Sequence, residues 1–167
     1  MVLFLNTIMK EQMVQHSSNF MDIKEVKLSM FELLYYRSVV FTNDMKHIHT
    51  HAVGNKFDRI HAIANEYYEK ASEESDTFVE LALELNEKVQ NPSNAADILN
   101  YSVANEDEYF WENAMEQITT RMEAYIEGLC EVRTNPKLSV DMQSLLDDII
   151  RYWKKERNYK LKLRLKE

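Results

Sequence analysis

The sequence predicts an all-α protein: a bundle of four long helices with a short connector helix between the second and the third. Three observations carry this. The chain of 167 residues has only two glycines and two prolines, against usual shares of roughly 7% and 5%, so little in it interrupts a helix. Apolar residues recur at helical spacing in four long stretches. Turn signals separate those stretches, as in "NPSN" at residues 91–94 and "TNPKLS" at residues 134–139.

Residues 1–21 are weakly patterned and read as an N-terminal arm. "DIKE" at residues 22–25 has capping-box spacing, with Asp22 as N-cap and Glu25 at N3. It opens a first helix through Val26, Met30, Leu33, Leu34, Val40, Phe41 and Met45, ending near Gly54, which suits a left-handed cap. Asn55 opens the second helix, through Phe57, Ile60, Ile63, Tyr67, Phe78, Leu81 and Leu85. The connector falls at residues 95–101. A third long helix is expected from about Glu106 to Val132, and a fourth from about Ser139 through Leu145, Leu146, Ile149, Ile150 and Trp153. The bundle is thus placed at residues 22–157. Residues 158–167 form a basic C-terminal tail, expected to be dispensable for assembly; "KLKLRLK" within it alternates with the period of a strand. No internal repeat or low-complexity tract is visible.

Composition narrows the function classes. Apolar residues make up 45%, enough for a core, and the net charge of −8 argues against DNA wrapping by the body of the domain while favouring attraction of cations. A single cysteine, Cys130, rules out an intrachain disulfide and a thiolate-rich metal site. The reading is a cytoplasmic protein, and the apolar start "MVLFLNTIM" reads as neither signal peptide nor membrane span.

Four of the five histidines fall between residues 47 and 61. His49 lies six residues before Asn55 and His61 six after it. In an antiparallel hairpin such positions sit side by side, so the two imidazoles can face one another. Asp76 and Glu80, four apart, share one helix face. His61 and Asp76 differ by only about 60° around their helix but are separated by roughly 22 Å of rise. One chain cannot close that gap around a metal ion. Two copies whose second helices pack antiparallel about a two-fold axis can, with His49 and His61 from one and Asp76 and Glu80 from the other. Two imidazoles and two carboxylates suit iron or zinc better than magnesium or calcium.

His49, Gly54, Phe57, His61, Asp76 and Glu80 resemble the signature of the Dps-type miniferritins, His-x4-Gly-x2-Phe-x3-His-x14-Asp-x3-Glu, with every interval kept over 32 residues. The resemblance implies a ferritin-like four-helix subunit, a hollow dodecamer, and a ferroxidase site at each two-fold interface. Its metal-binding and catalytic residues would be His49, His61, Asp76 and Glu80. It implies oxidation of Fe(II), typically with hydrogen peroxide, storage of a ferric core and protection against peroxide. Some positions differ from the family's habits. Thr50 stands where Trp often follows the first histidine, Ala62 where Glu follows the second, and Leu81 where Arg follows the last Glu. "LNEKV" at residues 85–89 replaces the expected glycines.

A second histidine set is Asp44, His47 and His51, spaced to share a helix face and considered for zinc or accessory iron. The last seventeen residues carry eight basic and two acidic side chains, and some family members bind DNA through such tails. Two other functions are therefore weighed beside the ferroxidase. One is a non-enzymatic ferritin-like shell or scaffold with a weak or zinc-filled site. The other is a nucleic-acid binder working through the tail.

Overall fold

A computed structural model describes residues 28–164, so the arm and the Asp22–Glu25 capping box lie outside the described residues. Four long helices form the body: α1 (Met30–Thr50), α2 (Phe57–Glu84), α4 (Trp111–Arg133) and α5 (Val140–Lys155). Between α2 and α4 a single 3₁₀ turn (Pro92–Asn94) leads into the connector α3 (Ala95–Ile98). After α5 the chain continues through a π turn (Glu156–Lys160) into α6 (Leu161–Arg164). No β-strand forms among the described residues, and none of their helices is long and apolar enough to cross a membrane.

Each long helix contributes one ring to the centre of the bundle: Phe41 from α1, Tyr67 from α2, Tyr125 from α4 and Trp153 from α5. Phe41 stacks on Tyr125 with centroids 4.9 Å apart. Trp153 meets Phe41, Tyr125 and Tyr67 edge-on at 5.3, 5.6 and 5.7 Å. Such pairs contribute about 0.5–1.5 kcal/mol each beyond the area they bury. Buried Ala64, Ala71, Ala82 and Ala114 let neighbouring helices approach closely.

The helix ends differ from the sequence expectation in four places. Ser29 is extended, and its hydroxyl accepts the Glu32 amide, so the first helix begins at Met30 rather than running unbroken from Asp22. "SMFE" has the same capping spacing as "DIKE", and the later one starts this helix. α2 opens at Phe57, two residues after Asn55, with no side-chain cap. The third long helix begins at Trp111, not Glu106. Tyr109 is drawn into a single parallel bridge with Ala52: its amide donates to the His51 carbonyl at 2.8 Å, and its own carbonyl accepts from Val53 at 2.9 Å. This bridge clamps the α1–α2 turn to the entrance of α4.

The fourth difference is at the C-terminus. Residues 158–164 are helical and packed, not a strand-like tail outside the bundle. Leu161 is buried while Leu163 is largely exposed. Lys160 and Arg164, one helical turn apart, both reach Glu66 on α2, at 3.4 and 3.0 Å. Spacing by four decides the conformation here, and the alternation at spacing two is incidental.

Candidate metal centre

The α1–α2 hairpin brings His49 and His61 together. His49 sits in the last turn of α1 and His61 in the second turn of α2, and their ring centroids are 3.6 Å apart with planes inclined at 39°. The turn between them depends on Gly54. Its φ of +88° is a left-handed conformation, and a Cβ there would lie 3.1 Å from the Phe110 ring. A glycine is needed at this point for both reasons. Phe57 covers His61 with centroids 5.2 Å apart, and Tyr68 approaches His49 edge-on at 5.4 Å.

The His49 Nε2 is buried and has no hydrogen-bond partner. Buried polar atoms are nearly always satisfied, so an exception calls for an explanation. Burial, together with the neighbouring His61, pulls the His49 pKa below its usual value, against a smaller opposing effect of Glu69. The ring is therefore held neutral with a lone pair available, the form that binds a metal.

Asp76 and Glu80 are exposed, and neither carboxylate has a hydrogen bond or ion pair among the described residues. They lie farther along α2 on the same side as His61. Asn65, Tyr68 and Ser72 fall between them on that stripe. Glu69 lies on the same side, about midway between the histidine end and the carboxylate end. Within one chain the two ends stay apart: no three His, Cys, Asp or Glu side chains of the described residues converge on a common point.

Asp44, His47 and His51 do not converge on a common point within the chain either. The two rings do stack, at 4.1 Å between centroids, and one nitrogen of each is engaged. His47 Nε2 bonds the Glu106 carbonyl at 2.9 Å, and His51 Nδ1 lies 2.9 Å from both the His47 carbonyl and the Thr50 hydroxyl. Asp44 points into the protein, where it accepts from the Ala104 amide at 2.7 Å and from Arg121 at 2.8 Å. All three residues hold the bridge segment and α4 in place.

The sequence reading missed a buried carboxylate. Glu74, within the charged run "EKASEESD", is 2% exposed at the bundle centre. Its Oε2 accepts from the Trp153 indole at 2.8 Å and the Tyr125 hydroxyl at 2.9 Å. Lys70 stands 3.6 Å from Oε1. Burial pushes its pKa up to about 7, against the pull of the two donors and Lys70. The signal was present: Glu74 shares the helical phase of Ile60, Ile63, Tyr67, Ala71 and Phe78, all buried.

The glycines absent after α2 are replaced in kind. Asn86 takes φ +57°, while Glu87 N–H bonds the Ala82 carbonyl at 2.9 Å and Asn86 N–H bonds Leu83 at 3.0 Å. This is a Schellman closure with asparagine in the left-handed position.

Comparison with known proteins places the fold. The chain is similar in structure to antigen TpF1 from Treponema pallidum, with a TM-score of 0.70 and 22% identity over 83% of this chain and 92% of that one. The class so defined is an all-α helical bundle. No protein-family model and no curated protein sequence matches the chain.

Proposed function

We propose that the chain is the subunit of a Dps-like miniferritin, taking Fe(II) as substrate, oxidising it at sites shared between two copies, and storing the ferric product. The observation that carries this reading is the buried, partnerless Nε2 of His49 against His61, at one end of a stripe that ends in two unengaged carboxylates. Antiparallel pairing of two α2 helices, with the two-fold axis near Glu69, brings His49 and His61 of one copy to Asp76 and Glu80 of the other. Imidazole nitrogens suit ferrous ion, and the carboxylates, as hard anionic donors, favour the ferric product. Hydrogen peroxide or dioxygen is the oxidant. On this reading the assembly is a hollow dodecamer in the cytoplasm, and zinc is a competing occupant.

A tail-driven nucleic-acid function gains nothing from the packing. Lys160 and Arg164 are paired with Glu66, and Arg157 is paired with Glu123.

The test is subunit mixing. His61→Ala and Asp76→Ala should each slow Fe(II) oxidation by about 10- to 100-fold. Co-assembly of the two variants places both defects in one site of a mixed pair and leaves the other whole, so activity should partly return. Mixed assemblies with no recovery, or single variants that oxidise Fe(II) normally, would defeat the reading. Native mass spectrometry after Fe(II) loading reports the number of subunits and the bound metal.

A further inference from the structure

Tyr125 on α4 and Trp153 on α5 both donate to one oxygen of Glu74 on α2. The Tyr125 hydroxyl lies 2.9 Å from Oε2 and the Trp153 indole nitrogen 2.8 Å. Tyr125, Trp153 and Glu74 are 3%, 0% and 2% exposed. Two other tyrosines reach a glutamate less closely, Tyr36 at 3.4 Å from Glu32 and Tyr67 at 3.4 Å from Glu156.

The same rings form a file from the half-buried Tyr152 to the core. Tyr152 and Trp153 have centroids 5.0 Å apart, and Trp153 and Tyr125 5.6 Å. Indole and phenol rings are among the side chains that most readily give up a single electron. At these separations an electron lost from Tyr152 or Trp153 is replaced from the next ring inward. A phenol that loses one electron becomes a strong acid, so it yields that electron easily only where a base takes the proton at once. Glu74 is such a base, already hydrogen-bonded to the phenol. Burial pushes its pKa up to about 7, which makes it a stronger base than a solvated carboxylate with its pKa of about 4.3. The proton shift also leaves both partners neutral, the form a dry core tolerates best.

We infer that Tyr125 is a redox-active tyrosine, a sink for one-electron oxidants of the hydroxyl-radical class, with Glu74 as its proton acceptor. The oxidant takes one electron and becomes hydroxide. The Tyr125 O–H bond breaks and an O–H bond forms on Glu74 Oε2. A neutral tyrosyl radical remains, kept by burial from coupling to a second tyrosine. No metal at the His49–His61 pair is required, so this inference and the iron reading stand or fall separately.

The test uses the metal-free full-length protein at about pH 8.5, where Glu74 is ionised. Tris(bipyridine)ruthenium(III), generated by a light flash with a sacrificial quencher, is the one-electron oxidant, and EPR reads the radical. The expected result is a tyrosyl signal that outlasts those of exposed tyrosines such as Tyr159 and narrows in protein carrying ring-deuterated tyrosine. Tyr125→Phe removes one hydroxyl and should abolish the persistent signal with the helical content unchanged. Glu74→Gln keeps a hydrogen-bond acceptor but cannot take the proton, and should lower the yield of the persistent radical at least about tenfold. A persistent signal that survives in Tyr125→Phe overturns the inference. So does an undiminished yield in Glu74→Gln, or the lack of any persistent tyrosyl signal in the wild-type protein. If Tyr125→Phe fails to fold, the Glu74→Gln yield decides: an unchanged value overturns the proposal, and a lowered one upholds it.

Discussion

Glu74 and Asp76 stand two residues apart on α2 and meet opposite environments. Glu74 is buried among Tyr125, Trp153 and Lys70, with its Oε2 accepting two hydrogen bonds. Asp76 is exposed and unengaged, as is Glu80 one turn on. The histidines divide in the same way. One nitrogen of His47 and one of His51 bond backbone carbonyls, whereas His49 Nε2 is buried and serves nothing in its own chain. Residue type does not separate structural from available groups here. Helical phase and local satisfaction do. A group already satisfied inside the subunit holds the fold together, and one left over is available to a ligand or a second copy.

The sharpest way to break this contrast is to delete the carboxylates one at a time. Glu74→Ala strands the Trp153 indole and the Tyr125 hydroxyl in the core and opens a void between them. The expected loss is about 4 kcal/mol in urea unfolding of the metal-free protein. Asp76→Ala and Glu80→Ala should stay within about 0.5 kcal/mol under the same conditions at equal protein concentration. Comparable losses at all three positions would mean that Asp76 and Glu80 are structural after all.

The pH dependence of Glu74 sharpens the same point. Its folded pKa, pushed up to about 7, lies above the usual carboxylate value of about 4.3. The folded state therefore holds this proton more tightly than the unfolded chain does. The resulting stability is fully present below about pH 4.3 and is lost as pH rises through about 7. Glu74→Gln keeps an oxygen acceptor for Trp153 and Tyr125 but has no proton to release. Relative to wild type, its stability should climb by about 3 kcal/mol between pH 4.5 and 8. A flat difference across that range would mean that Glu74 is not desolvated as the packing implies.

The sequence made the hairpin legible because one glycine and the helical period fix it. Once Gly54 is placed at the turn, His49 and His61 must meet, and Asp76 and Glu80 must lie far along the same face. The aromatic centre was partly legible too, through Trp153 and Tyr67. The helix ends were not. Two capping boxes compete before α1, and only the structure shows that Ser29 starts the helix. Residues 106–110 suit a helix locally, yet the two backbone hydrogen bonds of Tyr109 to the α1–α2 turn hold them extended. Glu74 is hidden in a run of charges by composition and shown by its helical phase alone. On the proposed reading Asp76 and Glu80 meet the histidines of a second copy, which no reading of a single chain supplies.

The smallest effect concerns the C-terminus, which the alternation of "KLKLRLK" set outside the bundle. Its first seven residues instead continue α5 and return to α2. Removing residues 158–167 exposes the surface that Leu161 covers, worth about 2 kcal/mol for one buried leucine. It also removes two partners of Glu66. Those ion pairs are partly solvated, and pairs of this kind add at most about 1 kcal/mol together. Glu156 would lose Lys160, its partner at 2.6 Å, and would be left with the Tyr67 hydroxyl at 3.4 Å. The truncated chain should therefore fold with its helical content nearly intact but unfold about 2–3 kcal/mol more easily. His61 and Glu66 point about 140° apart around α2, so Fe(II) oxidation per folded subunit should be unchanged. A truncated protein as stable as the full chain would show that residues 158–164 contribute little to the bundle. One that folds but oxidises Fe(II) slowly would tie the C-terminus to the metal centre through the second copy.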